Sequence, residues 1–311
     1  MPPKKDMPAT RHQSTTQAVL DWYQDHARVL PWRVTPDMRA GGVMPNPYHV
    51  WLSEMMLQQT TVATVRSYFE KFISLWPNVM ALAAAERDDV MAAWAGLGYY
   101  ARARNLHKTA QIIAEDFGGN FPQDEAALRD LPGIGPYAAA AISAIAFGHH
   151  AVVVDGNIER IMARWDMVTS PLPKAKQALY NVMAALTPTE AFGAGDFAQA
   201  LMDIGTSICS APRKAATTAT GLTTPSCLIC PMNLSCLGKD NAPETLPRKA
   251  PKKPRPDRFG HVLILRDNAG HVAVMRRPDN GLLGGLDIFP TNDWLDGGGL
   301  SIDEGQITDA H

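Results

Sequence analysis

The 311-residue chain reads as a mainly α-helical protein followed by a short β-containing segment. Three observations predict this. Between residues 14 and 209 apolar residues recur at helical spacing, punctuated by Gly and Pro, and strand-like alternation is absent. Residues 246–258, LPRKAPKKPRPDR, form a proline-rich basic linker. Beyond it, 261–265 and 271–275 are apolar, β-rich runs flanking Asp267-Asn268-Ala269-Gly270, a hairpin signal, with a third short strand expected at 286–289.

The helical elements follow in order. Residues 1–13 are expected to be a disordered tail. Val19, Leu20, Tyr23 and Ala27 recur at helical spacing and predict an amphipathic helix over 14–28. Leu30-Pro31-Trp32-Arg33 breaks it, and the loop 34–47, with three prolines and the pair Gly41-Gly42, is expected to bulge over the surface. Residues 48–76 read as two helices, and 78–95 as short helices ending at Gly96. Another helix begins near Gly98 and stops before Gly118-Gly119. A short helix at 124–130 leads into Leu131-Pro132-Gly133-Ile134-Gly135-Pro136. The next helix runs to Phe147, with Gly148 as its C-cap. Asp155 N-caps a helix through Trp165, and helices over 173–186 and 196–209 complete the region.

Composition bounds the function. A 46% hydrophobic and 19% charged chain is an ordinary soluble globular protein, long enough for about two domains. With 29 basic and 31 acidic residues the net charge is −2, so a nucleic-acid partner would be held by local patches or backbone dipoles. The polar opening MPPKKDMPATRHQ carries no signal peptide, and no membrane span is visible, so a reducing, intracellular location is expected. The only thiols are Cys209, Cys227, Cys230 and Cys236, and their clustering points to one metal or cluster site. Only Cys227 and Cys230 form a close pair, so spacing leaves zinc and an iron–sulfur cluster both open.

Three further features carry chemistry. Gly133 and Gly135 allow positive φ and close backbone approach, and bare N–H groups feeding a helix N-terminus make an anion site; a tight αα turn is the plainer alternative. Glu54 and Asp155 taken singly are a surface helix residue and an N-cap. In one cleft they would form the carboxyl pair that cleaves a glycosidic bond, one protonating the leaving group and the other facing the sugar cation. Tyr99, Tyr100 and Arg102, with Gln58 and Gln59, are either packing residues or a wedge and stacking platform for opened DNA.

Read together, LPWR (30–33), WLSEMMLQQT (51–60), GLGYYARARNLH (96–107), LPGIGPYAAAAI (131–142), VDGNIERIMAR (154–164), FAQALMDIG (197–205) and the cysteines resemble the adenine DNA glycosylase family, MutY, of the helix-hairpin-helix superfamily that includes endonuclease III. The resemblance implies an endonuclease III-like, two-lobed helical catalytic region over 14–240. Residues 14–47 with 155–240 would form the iron–sulfur lobe, and 48–154 the six-helix lobe. A linker would cover 241–258, and an incomplete Nudix-like α+β domain that reads 8-oxoguanine would cover 259–311.

It further implies that Glu54 protonates adenine N7 and Asp155 stabilises or captures the deoxyribose cation, with Asn157 and Tyr137 orienting that chemistry. Trp32, Arg33 and Gln199 would line the adenine pocket, and Gln59 and Tyr99 would enter the base stack. Gly133 and Gly135 would grip a phosphate, and the four cysteines would hold a [4Fe–4S] cluster. The expected partner is double-stranded DNA with adenine opposite 8-oxoguanine or guanine, and the expected state is a cytoplasmic, nucleoid-associated monomer with no membrane contact. Lyases of the superfamily carry a lysine where this chain has Tyr137, so a monofunctional glycosylase is expected. A catalytically weak or inactive DNA-damage binding protein is the alternative, because the C-terminal domain stops at His311; discrimination of the opposite base would then weaken. The Cys209–Cys227 gap is longer than the family's, at a loop-closure cost of roughly 0.9 kcal/mol, too little to prevent cluster assembly.

Overall fold

A computed structural model describes residues 9–214, 222–251, 254–256, 258–278, 284–291 and 295–296. The chain divides into two compact units, Met1–Gly98 with Arg102–Ala250, and Tyr99–Ala101 with Pro251–His311.

The first unit is helical. Helix α1 (Ala9–His26) begins earlier than its apolar pattern predicts. The cause is Arg11, whose guanidinium stands 3.6 Å over the Trp165 ring and donates to Asp166 Oδ1 and the Ser235 carbonyl. Polar residues expected to be a tail are thereby anchored, while residues 1–8 lie outside the described ones. The 34–47 loop also departs from expectation. Its first half forms helix α2 (Pro36–Ala40), capped by Thr35, and Arg39 pairs with Asp196 while standing over the Phe192 ring. Its longest exposed run is 40–44, as a bulge would be.

Helix α3 (Pro47–Leu57) starts where Asn46 accepts from the Tyr48 N–H and Pro47 occupies the first turn. It is apolar on all sides and therefore central, burying Trp51, Leu52, Met55 and Met56 completely. Helices α4 (Val62–Leu75), α5 (Val79–Ala83), α6 (Arg87–Trp94), α7 (Ala101–Asp116) and α8 (Glu125–Arg129) follow. Then come α9 (Pro136–Phe147), α10 (Gly156–Trp165), α11 (Lys176–Leu186) and α12 (Gly193–Ser207). Helix α3 packs on α9, and α12 packs on α1, α9 and α10. The run of small residues in α9 permits close approach, and every residue from Ala138 to Ala146 is buried. At the α9–α12 crossing a Cβ on Gly195 would stand 2.6 Å from the Ala144 carbonyl oxygen. Between α8 and α9 the hairpin turns through Gly133 at φ +77°, where a Cβ would meet Asn105 Cβ at 2.8 Å.

In the second unit, β1 (Arg258–Phe259) pairs antiparallel with β4 (Leu295–Asp296), and β2 (Met275–Arg276) with β3 (Asp287–Ile288). The expected hairpin turn lies at 267–270: Asp267 Oδ1 accepts from the Ala269 and His271 amides, and Arg266 bridges Val272. Its flanking runs are shorter as strands than their composition predicts. Among the described residues no helix is long and apolar enough to cross a membrane.

Gly195→Ala is expected to lower stability by about 1–3 kcal/mol, because backbone atoms of α9 cannot yield to the added methyl; chemical denaturation at neutral pH measures this.

Candidate active site

Side chains from five separate segments converge on one cavity of about 520 Å³. Glu54 comes from α3, Tyr137 from the first turn of α9, Asp155 and Asn157 from the start of α10, and Gln199 from α12. Trp32 and Arg33 come from the segment that ends the first helical stretch. Seven of the residues singled out in the sequence, spread from residue 32 to residue 199, thus share one cavity.

Asp155 is placed by helix capping. Its backbone is extended, and Oδ1 accepts from the Ile158 N–H at 2.7 Å. Oδ2 accepts from Asn157 Nδ2 at 2.9 Å, so both oxygens are oriented by the turn that follows. Asn157 is in turn fixed by Arg160, whose Nη2 donates to Asn157 Oδ1 at 3.1 Å and to the Gly205 carbonyl at 2.6 Å. Arg160 Nε donates to the Cys209 carbonyl at 3.0 Å, so one face of α10 joins the acid's support to the cysteine loop.

Glu54 is buried, with 7% of its surface exposed. Loss of solvent raises its pKa from 4.5 to about 7, and the nearby Asp155 charge adds to the rise. A hydrogen bond from the Tyr137 hydroxyl and the Arg33 charge oppose it. Burial, together with Glu54 and Asp155, holds the Tyr137 hydroxyl far above its ordinary range, so it remains a donor. The site therefore presents a carboxyl that holds its proton near neutrality, hydrogen-bonded to Tyr137, in the same cavity as a second carboxyl held by backbone and amide donors. An acid that keeps its proton near neutrality is suited to proton donation.

The pocket wall rests on a buried ion pair that the sequence reading missed. Arg33 Nη1 donates to Asp203 Oδ2 at 2.7 Å, and Arg28 Nε donates to Asp203 Oδ1 at 2.6 Å. Asp203 lies one helical turn beyond Gln199 on α12, and that spacing was the available signal. Trp32 is buried with its ring edge-on to Phe69 at 5.3 Å, and Gln199 Nε2 donates to the Gly195 carbonyl.

Four residues singled out in the sequence lie apart from the cavity lining. Gln59 and Tyr99 occupy loops with φ of +58° and +47°, and Tyr99 is 60% exposed. Gly133 and Gly135 sit on the exposed hairpin, where Gly135 begins α9 with no side-chain cap and open space above its Cα. Elsewhere, Cys209, Cys227, Cys230 and Cys236 are free thiols lining one pocket, with Arg164 Nη1 3.1 Å from Cys209 Sγ. Burial and the neighbouring thiols raise Cys227 and Cys236, and push Cys230 up to about 12. A cationic group among them would relieve both costs. Among the described residues no group of three or more His, Cys, Asp or Glu side chains is placed to hold a metal ion.

Residues 52–185 match the family model described as HhH-GPD superfamily base excision DNA repair protein. A thermostable thymine-DNA glycosylase shares the fold with a TM-score of 0.60 and 25% identity, covering 75% of this chain and 98% of its own. A trapped endonuclease III–DNA covalent intermediate does so at 0.57 and 19% identity, with 75% and 98% coverage, which supports the fold alone. Curated adenine DNA glycosylases are similar over most of the sequence. The protein from Buchnera aphidicola of Acyrthosiphon pisum is 36% identical over 81% of this chain, that from Mycobacterium tuberculosis 35% over 74%, and that from Homo sapiens 32% over 89%. The chain belongs to the adenine DNA glycosylase family. It spans 67%, 69% and 57% of the lengths of these three relatives respectively.

Because Glu54 binds its proton more tightly folded than unfolded, stability is greatest below pH 4.5 for this group and is lost as pH rises through about 7. Glu54→Gln removes that penalty. Urea denaturation is expected to show the variant more stable than wild type by up to about 3 kcal/mol at pH 8.5 and by nothing at pH 4.5. Asp203→Asn leaves Arg33 without its buried counter-charge and is expected to cost about 3–5 kcal/mol in the same assay at pH 7.

Proposed function

We propose that this chain is an adenine-specific DNA glycosylase of base excision repair, hydrolysing the N-glycosidic bond of adenine opposite 8-oxoguanine or guanine. One observation carries the reading: Glu54, with a pKa of about 7, and the capped Asp155 line the same cavity of about 520 Å³, roomy enough for a base. The bond to be broken is inaccessible in stacked DNA, so the adenosine is extruded into the cavity. Trp32, Arg33 and Gln199 hold the base. Glu54 gives its proton to adenine N7, the C1′–N9 bond breaks with its electron pair leaving on adenine, and the sugar becomes an oxocarbenium ion. Asp155, oriented by Asn157 and the α10 amides, stabilises or captures that cation. Water then adds to C1′ and returns a proton to the site, leaving an abasic sugar and free adenine. Tyr137 supplies no amine, so no Schiff base forms and the strand stays intact.

Outside the cavity, Gln59 and Tyr99 enter the stack around the mispair, and the amides of Gly133 and Gly135 at the start of α9 bind a phosphate. Cys209, Cys227, Cys230 and Cys236 line one pocket and hold a [4Fe–4S] cluster; four thiolates suit either a cluster or zinc, and the family likeness favours the cluster. That group's contribution is structural, tying the segment after α12 to Arg164. Residues 259–311 belong to a Nudix-like domain that reads the oxidised guanine.

A duplex carrying adenine opposite 8-oxoguanine tests the activity. Strand breaks are expected only after alkali; breaks without alkali would indicate a lyase, and none under either condition a binding protein. Glu54→Gln should reduce excision by about 10³-fold while retaining duplex binding. For wild type, single-turnover excision should decline as pH rises through about 7. Tyr137→Phe, by removing a hydrogen bond that favours the ionised acid, should move that decline to higher pH. The purified protein should contain iron and a broad visible absorption band; stoichiometric zinc without iron would refute the cluster assignment.

A further inference from the structure

The side chain of Arg102, near the start of α7, is buried with 8% exposed, and it reaches two loops at once. Toward the end of α3 its Nη1 donates to the carbonyls of Met55, Met56 and Gln58 at 3.2, 3.0 and 2.6 Å. Its Nη2 lies 3.2 Å from Thr60 Oγ1, and 3.0 and 3.3 Å from the carbonyls of Leu97 and Gly98. The guanidinium stands 5.2 Å over the Trp94 ring, and Trp94 Nε1 also donates to the Gly98 carbonyl at 3.1 Å.

The last carbonyls of a helix lack intrahelical partners, and a cation beside them is favoured by the helix dipole. Arg102 meets both needs for α3. The same group satisfies the carbonyls of the 97–98 turn, so the two loops share one fixed anchor. Each loop then places a non-glycine residue in the left-handed region, Gln59 at φ +58° and Tyr99 at φ +47°. Such conformations persist only where surrounding structure over-determines them. Gln59 follows one clamped carbonyl directly, and Tyr99 follows the other.

We propose that Arg102 is a positioning residue that locks the turn carrying Gln59 to the 97–98 turn, and that this fixed pair of turns is needed for base extrusion. This rests on the glycosylase reading for the role of the loops, while the clamp itself is a property of the fold. Glu54 lies upstream on α3, held by the buried faces of that helix, so the clamp acts on base extrusion more than on proton transfer. Lysine cannot replace it: one ammonium presents its donors from a single point and cannot span two loops, whereas the planar fork can.

The test compares wild type, Arg102→Lys and Arg102→Met as the full chain. Hydrogen exchange is followed by mass spectrometry, and single-turnover excision is measured on two duplexes. One carries adenine opposite 8-oxoguanine; the other carries adenine opposite an abasic analogue, where there is no partner base to prise away. Exchange in 57–61 and 96–100 should rise together in both variants while α9 and α10 stay protected. Excision opposite 8-oxoguanine should fall by about 100-fold, and opposite the abasic analogue by no more than about threefold. The midpoint of the pH decline should not move. Should Arg102→Met fail to fold, Arg102→Lys, which keeps the charge, carries the same comparison. Exchange rising in one loop or neither, or equal losses on the two duplexes, overturns the proposal. If wild type excises from neither duplex the glycosylase reading fails, and the exchange result still decides the clamp.

Discussion

Glu54 is a carboxyl that the fold has removed from water, and much of the site is arranged around that. Its burial is imposed by α3, a largely apolar helix at the centre of the first unit in which every residue from Val50 to Met56 is buried. An isolated ionised carboxylate there would be costly, so the group keeps its proton to near-neutral pH. The neighbours moderate this effect. Tyr137 and Arg33 favour the charged form, and Asp155 disfavours it. A stabilising core residue at position 54 would fold better and do nothing, which is the trade expected of a functional site.

Asp155 illustrates the complementary economy. Capping α10 is a local requirement of the chain, because the first amides of that helix need an acceptor. The same capping geometry turns the carboxyl toward the cavity and fixes both its oxygens through Ile158 and Asn157. Behind it, Arg160 and Arg164 reach from successive turns of α10 to Cys209, so the position of the acid and the order of the cysteine loop are mechanically linked. Asp203 does similar work on the opposite wall, where one buried carboxylate holds both Arg28 and Arg33.

Much of this was legible in the sequence, for identifiable reasons. Helix α10 announces itself through Asp155, an N-cap signal read within a few residues, whereas the cap of α3 at Asn46 lies inside what reads as the end of a loop. Glu54 and Asp155 were visible as carboxyls, but their meeting depends on how α3 packs on α9, with α12 joining α9 to α10, information that periodicity does not carry. The start of α1 was misplaced because Arg11 gains its partners from residues 165, 166 and 235. The 34–47 loop looked unstructured because its anchor, Arg39 to Asp196, is likewise non-local. Arg102 and Asp203 sit inside recognisable motifs, yet nothing in the letters shows that one clamps two loops and the other two arginines. In the second unit the turn at Asp267 was readable because its acceptor and donors lie within four residues.

The central claim is that Glu54 holds a proton at neutral pH because it is buried. Carboxyl titration by ¹³C NMR on glutamate-labelled protein, with Glu54→Gln to assign the resonance, measures this directly. The account predicts a Glu54 midpoint near 7, well above the 4.5 of a solvated glutamate. A midpoint at 4.5 or below would contradict it, and the proton for adenine would then have to come from elsewhere.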